Sequence, residues 1–471
     1  MRYAMKFGGT SVGNGDRIKK VAELIKKYCD AGNEIVVIVS AMAGVTDELQ
    51  SIATNMASEY AELHEVTEFV QHVGKQHFDA VYSAIEDEMI ITDVVSEIEV
   101  RLEELKNALS GIYHLGELTD RSHDYISSFG ERFSAPIVSG ALKSLKVQSV
   151  SLMGGEAGII TNSKHRDARP IELTNRRVRE RIVPLIEVGV VPVVMGFVAY
   201  DIHNIITTLG RGGSDYTASI VGAACNADEI WIWTDVDGIM TADPKLVKNS
   251  KTLSEISYLE AMEISFFGAK VIHPKTIEPA ISRGIPVRVK NTFNPDGQGT
   301  LIVHQVTDNK STIKAVTAIN NVSLVNISGA GMAGTIGVAG HVFSKLAEAG
   351  VNIIMISQAS SESNISMLVE EAHLSGALTA LHQLKSEFEG NIIREITCDE
   401  DVSAIAIVGS GMVGNPGIAG RIFRSVGKIH ANIIMISQGS SEYNVSFVVR
   451  RNATKNVVVA LHDEFKLSEI T

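Results

Sequence analysis

The last third of this chain is written twice. Val322-Ser323 returns as Val402-Ser403, Gly329-Ala330-Gly331-Met332 as Gly409-Ser410-Gly411-Met412, and Ser360-Ser361-Glu362 as Ser440-Ser441-Glu442. The run from Asn352 to Gln358, Asn-Ile-Ile-Met-Ile-Ser-Gln, returns unchanged from Asn432 to Gln438. Every match has the same displacement, 80 residues, without a gap. Chance does not produce such a register. Each unit reads strand, Gly-rich loop, helix, strand, turn, strand, helix, and two such units in one chain are expected to pack as a tandem pair.

Both repeats carry GxGxxG, at Gly329 to Gly334 and at Gly409 to Gly414. A dinucleotide site needs an acidic residue at the end of the next strand to hold the ribose. Here that strand ends in Ser357-Gln358 or Ser437-Gln438, and each unit is too short for a dinucleotide-binding half-domain. A loop for a small ligand fits better, because the free N–H groups of a helix start suit a carboxylate. Asn352 and Gln358, with Asn432 and Gln438, are the amides available to read such a ligand in repeats otherwise built from Ile, Val and Met. An amide-lined pocket suits a neutral hydroxyl side chain, whereas an ammonium would want a carboxylate partner.

The chain before the repeats alternates strands and helices. Met5-Lys6-Phe7 leads into Gly8-Gly9, and Val21, Leu24 and Ile25 share one face of the helix that follows. Glu34 to Val39, Val190 to Met195 and Glu229 to Trp233 are short apolar runs of the kind buried in a parallel sheet. An α/β layout of this kind places ligands beyond the carboxyl ends of its strands. The stretch from Asp47 to about Ser110 is rich in Glu, Ala, His and Lys and reads as long helices inserted between strands, their charges a solvated face. A lid or a dimer surface stays open as a second reading. The turn-forming run Asn294 to Thr300 marks the approach to a boundary near Gln305.

The 471 residues suffice for two or three domains, and 45% apolar with 21% charged residues is ordinary for a folded chain. The formal net charge of −13 argues against a nucleic-acid partner. No apolar run approaches a membrane span, no signal peptide is apparent, and Cys29, Cys225 and Cys398 suggest neither a disulfide framework nor a zinc site. A cytoplasmic protein with reduced thiols is the expectation.

Four constellations carry chemistry. Lys6-Phe7-Gly8-Gly9-Thr10-Ser11 places a lysine before two glycines. Glycines let backbone N–H groups approach phosphate oxygens, and lysine brings a mobile charge. The Walker pattern is absent. Gly210-Arg211-Gly212-Gly213-Ser214-Asp215 combines a cation for a carboxylate with a carboxylate for an amine, the mixed lining an amino acid needs. Its plainer reading is a turn with Ser214 or Asp215 as helix cap. Thr234-Asp235 opens an acidic loop reaching Met240 and Lys245, where a nucleotide could lie. Phe267 to Pro274 puts Lys270 on an expected helix.

In this order the motifs resemble the aspartate kinases of the amino-acid-kinase fold, over almost the whole chain. Lys6 to Val12 matches the opening signature, Val39 to Thr46 looks like the second loop, and Phe129-Gly130-Glu131-Arg132 is similar to the glutamate loop. The resemblance implies a three-layer α/β sandwich with a mainly parallel sheet over 1–305. It implies two α+β, ferredoxin-like ACT modules at 306–398 and 399–471. It implies Lys6 and Asp215 as catalytic residues, and an aspartate site of Ser40, Thr46, Glu131, Arg211, Ser214 and Asp215. It implies an ATP side of Lys6, Gly8, Gly9, Thr234, Asp235, Met240, Lys245 and Lys270, with Mg²⁺ arriving on the nucleotide and no protein metal ligands. The reaction so implied makes L-4-aspartyl phosphate, on the route to lysine, threonine and methionine. Feedback by one of these amino acids, threonine first, at Asn352, Gln358, Asn432 and Gln438, and a homodimer or larger homo-oligomer complete the expectation. Two rivals are a kinase for another carboxylate and an amino-acid sensor with an inactive kinase half.

Overall fold

A computed structural model describes residues 1–267, 272, 274–306, 312–388 and 392–470. It divides into two compact units. The first holds Met1–Ile239, Ser254–Tyr258 and Val271–Gln305, and the second holds Met240–Leu253, Leu259–Lys270 and Val306–Thr471.

The first unit runs β1 (Arg2–Phe7), α1 (Gly15–Asp30), β2 (Glu34–Val39), α2 (Val45–Met56), α3 (Leu63–Ala84), α4 (Glu88–Leu115), α5 (Asp120–Ser127), α6 (Phe129–Ser144), β3 (Ser149–Leu152) and β4 (Ile160–Thr161). It continues with α7 (Leu173–Glu187), β5 (Val191–Met195), β6 (Val198–Asp201), β7 (Ile206–Thr208), α8 (Gly213–Ala224), β8 (Glu229–Thr234) and β9 (Glu255–Ser257). Helix α9 (Tyr258–Phe266) belongs to the second unit from Leu259 on, and the first unit resumes with α10 (Pro274–Ile281), β10 (Val287–Asn291) and β11 (Thr300–Val303).

Eight strands form one sheet in the order β3-β5-β2-β1-β8-β10-β11-β9. From β3 to β10 the neighbours are parallel, and the turn-forming run from Asn294 makes the β10–β11 connection, which is antiparallel. Parallel strands buried on both faces read as unbroken apolar runs, which is why β2 and β5 were legible. Helices α1 and α6 cover one face, and α7 and α8 the other.

The inserted helices are a layer of the same unit. Helix α4 buries Val94, Ile98, Leu102, Leu105, Leu109 and Ile112, a stripe at helical spacing, and leaves most of its charges outside, Arg101 and Glu104 being turned in against Arg132. Gly74 of α3 lets the two helices close up: a Cβ there would stand 2.9 Å from Leu102 Cδ1. The solvated-face reading therefore describes half of each helix, and the other half is core.

The second unit contains β12 (Ala315–Ser328), α11 (Val338–Glu348), β13 (Ile353–Gln358), β14 (Asn364–Glu370), α12 (Leu374–Glu387), β15 (Glu395–Val408), α13 (Ile418–Lys428), β16 (Ile433–Gln438), β17 (Asn444–Arg450) and α14 (Thr454–Glu464). The two repeats have the same element order, and they share one antiparallel sheet, β13-β14-β12-β15-β17-β16. The central strands are long enough to serve both: Ala315 to Ile319 pairs with Val408 to Ala404, and Leu324 to Ser328 pairs with Asp399 to Glu395. Each repeat thus closes its helix-covered core only on a strand shared with the other, which is the physical content of a tandem pair. On the opposite face Met355, Leu368, Met435 and Val448 pack with Phe267.

Candidate active site

Strand register aims three loops at one place. Phe7 lies opposite Val39 of β2 and Trp233 of β8, so the chain leaves three adjacent strands side by side, at Gly8, Ser40 and Thr234. Gly8 N–H donates to Trp233 O at 3.1 Å and Ser40 N–H to Phe7 O at 3.1 Å, which pins two of the turns. Gly9 is required by contact: a Cβ on it would lie 2.8 Å from the Ala41 carbonyl. Gly130 on α6 is required likewise, since its Cβ would meet the Ala41 methyl at 2.5 Å. Helix α6 braces the second loop through Ser134 Oγ, which donates to Ser40 O at 2.8 Å, and through Glu131, which accepts from Ala41 N–H at 3.1 Å.

These turns enclose a cavity of about 570 Å³. Its walls include Lys6, Gly9, Ser40, Thr46, Glu131, Arg211, Ser214 and Asp215. All six residues of the expected aspartate site thus face one space, together with the lysine of the first loop. Lys6 Nζ and Asp215 Oδ1 form an ion pair at 2.5 Å, with side chains only 12% and 14% exposed. Arg211 is exposed and has no ion-pair partner among the described residues.

Glu131 is the anomalous group. Its side chain is buried, and Oε2 has no hydrogen-bond partner among the described residues. Burial pushes its carboxyl up to about 8, against the opposing pull of the Ala41 N–H and the Lys6 charge. A cation brought to Oε2 would recover the missing partner.

The capping reading of the Gly210–Asp215 motif is corrected. Helix α8 starts after Gly212, a left-handed N-cap with φ of 72°, and no side chain caps it. Ser214 and Asp215 stand inside the first turn, which frees both for the cavity. The glycine takes the cap because only a residue without Cβ adopts that φ at low cost.

Wall residues outside the motifs include Gln50, His123, Arg166 and Phe197. Arg166 sits on the loop between β4 and α7 with φ of 67°. Its N–H donates to both oxygens of Asp124, at 3.0 and 3.1 Å. Asp124 is fully buried and also accepts from Thr208 Oγ1 at 2.6 Å and Thr208 N–H at 3.2 Å, and it pairs with His165 Nδ1 at 2.8 Å. One carboxylate therefore clamps the Arg166 loop to the end of β7, two residues before Gly210. The only local hint was the basic cluster Lys164-His165-Arg166 after a short strand.

The expected nucleotide residues divide between the units. Gly8, Thr234 and Asp235 lie on the loops just described, and Thr234 Oγ1 donates to Asp235 Oδ1 at 3.2 Å. Met240 and Lys245 belong to the second unit, where Met240 bridges to Thr252 and Lys245 is exposed. Lys270 lies outside the described residues. Among those residues no group of three or more His, Cys, Asp or Glu is arranged to hold a metal ion, and no helix is long and apolar enough to cross a membrane.

In the first repeat a cavity of about 400 Å³ is bounded by Met332, Gly334, Thr335, Gly337, Gln358 and Glu362, among others. Gln358 is in its wall, and Asn352, at the other end of β13, is not among its lining residues. Asn432 and Gln438 are exposed at the matching ends of β16. Glu362 is a carboxylate missed by the amide-only reading. It accepts from Gly334 N–H at 3.0 Å, and its counterpart Glu442 accepts from Gly414 N–H at 2.6 Å.

A parallel sheet with glycine turns at its carboxyl edge, around a pocket of mixed charge, defines the amino acid kinase class. A model of the amino acid kinase family matches residues 1–291, and an ACT domain model matches 325–384 and 405–465. The chain belongs to the aspartokinases within that family. It is 33% identical to "Aspartokinase 1, chloroplastic" of Arabidopsis thaliana, over 98% of this chain and 79% of that one. It is also 33% identical to "Bifunctional aspartokinase/homoserine dehydrogenase 1, chloroplastic" of the same plant, over 99% of this chain. It spans about half the length of such bifunctional relatives, 51% in that case. E. coli aspartokinase III in complex with lysine and aspartate superposes with a TM-score of 0.81 at 27% identity, covering 99% of both chains.

Proposed function

We propose that this chain transfers the γ-phosphoryl group of ATP to the side-chain carboxylate of L-aspartate, giving L-4-aspartyl phosphate and ADP. The observation that carries the reading is the shared cavity, in which Lys6–Asp215, the Glu131 carboxyl, whose Oε2 lacks a partner among the described residues, and Arg211 face one space. A substrate with two carboxylates and one ammonium matches that set. Arg211 takes the α-carboxylate through a planar two-bond contact, and Glu131 with Asp215 faces the α-ammonium. ATP lies along Lys6, Gly8, Gly9, Thr234 and Asp235.

The attacking carboxylate has an ordinary pKa near about 4 and is ionised at neutral pH, so no general base is needed. Its oxygen forms the new bond to phosphorus as the bond to the bridging oxygen breaks, and ADP leaves with that electron pair. The obstacle is bringing an anion to a polyanion. Lys6 and the N–H groups of the glycine loop offset that charge, and Mg²⁺ carried on the phosphates would add to the neutralisation. Purified protein should form aspartyl hydroxamate from hydroxylamine only when ATP and aspartate are both present. Formation with glutamate in place of aspartate, or none at all, rejects the proposal.

Glu131 makes the reading testable by pH. The carboxyl is neutral below about 8 in the free protein, whereas an α-ammonium partner favours the ionised form. Aspartate binding thus releases a proton. KM for aspartate should fall as pH rises toward about 8, by up to roughly tenfold per unit. The unliganded fold shows the opposite sign: a raised carboxyl pKa holds the proton in the folded state, so stability declines between the ordinary value of 4.5 and about 8. Glu131→Gln should flatten both profiles, and a variant with unchanged pH slopes would remove Glu131 from this role.

The reading extends to control by an end product of the lysine, threonine and methionine routes. Threonine is the first assignment, on the strength of Gln358 in the first-repeat cavity. Lysine is the second, because Glu362 supplies a carboxylate for an ammonium. Gln358→Ala should raise the inhibitory threonine concentration about tenfold, the size of one lost polar contact, with uninhibited kcat unchanged. Titration with threonine and lysine separately decides the ligand. The reading also includes a homodimer or larger homo-oligomer formed through the edge strands β13 and β16, and a cytoplasmic location. Sedimentation and cell fractionation test these.

A further inference from the structure

Arg211, the cation assigned to the substrate's α-carboxylate, is exposed and has no ion-pair partner among the described residues. No such partner aims its guanidinium, so the backbone must. Yet Arg211 stands between Gly210 and Gly212, both left-handed, with φ of 76° and 72°. Glycines on either side give a turn the widest backbone freedom. Such a turn presents a side chain in one direction only if the chain around it is pinned.

The pin lies behind the cavity. The turn rests on the loop between β4 and α7: a Cβ on Gly210 would stand 3.0 Å from Arg166 O and 3.2 Å from Asp167 Oδ1. That loop is closed by Asn162 N–H, which donates to Arg169 O at 2.9 Å, and joined to β7 by Ala168 N–H, which donates to Thr208 O at 2.9 Å. Arg166 itself is left-handed, with φ of 67°. A residue with a Cβ keeps that conformation only where its surroundings enforce it. The enforcing group is Asp124 on α5. Its buried carboxylate accepts the Arg166 N–H on both oxygens, takes the N–H and the hydroxyl of Thr208, and pairs with His165 Nδ1. Asp124 is not among the residues that line the cavity.

We propose that Asp124 is a positioning residue of the aspartate site: it fixes the 162–169 loop against the end of β7, and through that seat it sets the direction of Arg211. This rests on the reading of the cavity as the aspartate site. Asparagine in its place has the same size but turns an NH2 group toward donors, so at least one bond is lost. The turn then gains freedom that substrate binding must remove. The loss falls on aspartate and spares ATP.

Titration calorimetry of the full chain with L-aspartate tests it, beside steady-state kinetics. In Asp124→Asn the dissociation constant and KM for aspartate should rise about tenfold, with KM for ATP near the parent value. His165→Phe removes one donor, spares the carboxylate and should give a rise of about threefold. His165→Asn restores an N–H and should recover the parent affinity. If Asp124→Asn does not fold, the His165 pair decides. In an Arg211→Ala background Asp124→Asn should add little, because no guanidinium is left to aim. Losses that multiply in that double variant, KM values that rise together for both substrates, or unchanged aspartate affinity in a folded Asp124→Asn protein each overturn the proposal. If the parent binds no L-aspartate, the reading of the cavity fails by itself, and hydrogen exchange over 162–169 and 207–213 decides the clamp alone. Exchange there should quicken about tenfold in Asp124→Asn, and equal exchange overturns the clamp.

Discussion

Replacing Lys6 with alanine should lower kcat by on the order of 10²–10³, the usual cost of removing one preorganised charge donor from a transferring group. The lysine stands near the end of β1, with Phe7 between it and the two glycines, of which Gly9 lines the same cavity. Its Nζ lies 2.5 Å from Asp215 Oδ1 in the free protein, so it is held in position before any substrate arrives. Alanine would remove the charge and leave Asp215 without its partner. For that reason thermal melting of the variant must accompany the kinetics, and Lys6→Arg serves as a control that keeps the charge. A folded Lys6→Ala protein with near-normal turnover would exclude this lysine from the transfer step.

Arg211→Lys should raise KM for aspartate by roughly 10- to 100-fold, the range for a lost charged hydrogen-bond pair, while KM for ATP changes little. Arg211 is in the cavity wall and has no ion-pair partner among the described residues, so its guanidinium is available to a ligand rather than to the fold. Lysine keeps the charge but cannot present two parallel N–H groups to a carboxylate. Arg166, in the same wall, does not replace it in this prediction, because its loop is tied by Asp124 to the end of β7. Steady-state titration of both substrates checks the result. An effect confined to ATP would move Arg211 to the nucleotide side.

The sequence by itself determined whatever depends on neighbours along the chain. Apolar runs such as Glu34 to Val39 announced buried parallel strands, and glycines announced turns that tolerate no side chain, as the 2.8 Å approach at Gly9 bears out. The 80-residue repeat announced paired modules, because a conserved register over seven identical residues is itself a local pattern. Tertiary structure alone decided what joins residues far apart. Asp124 meets Arg166 across 42 positions and Thr208 across 84, and no periodicity marks such a buried clamp. A helix cap was the plainer of two readings of Ser214 and Asp215; the left-handed Gly212 takes that place, and both line the cavity. Least legible of all were the contacts of the second repeat with helix α9, where Ser410 N–H meets Glu260 and the Asn444 amide meets Glu263, 150 and 181 residues away. A hydrogen bond needs proximity in space, and sequence encodes that only where the chain itself is short between the partners.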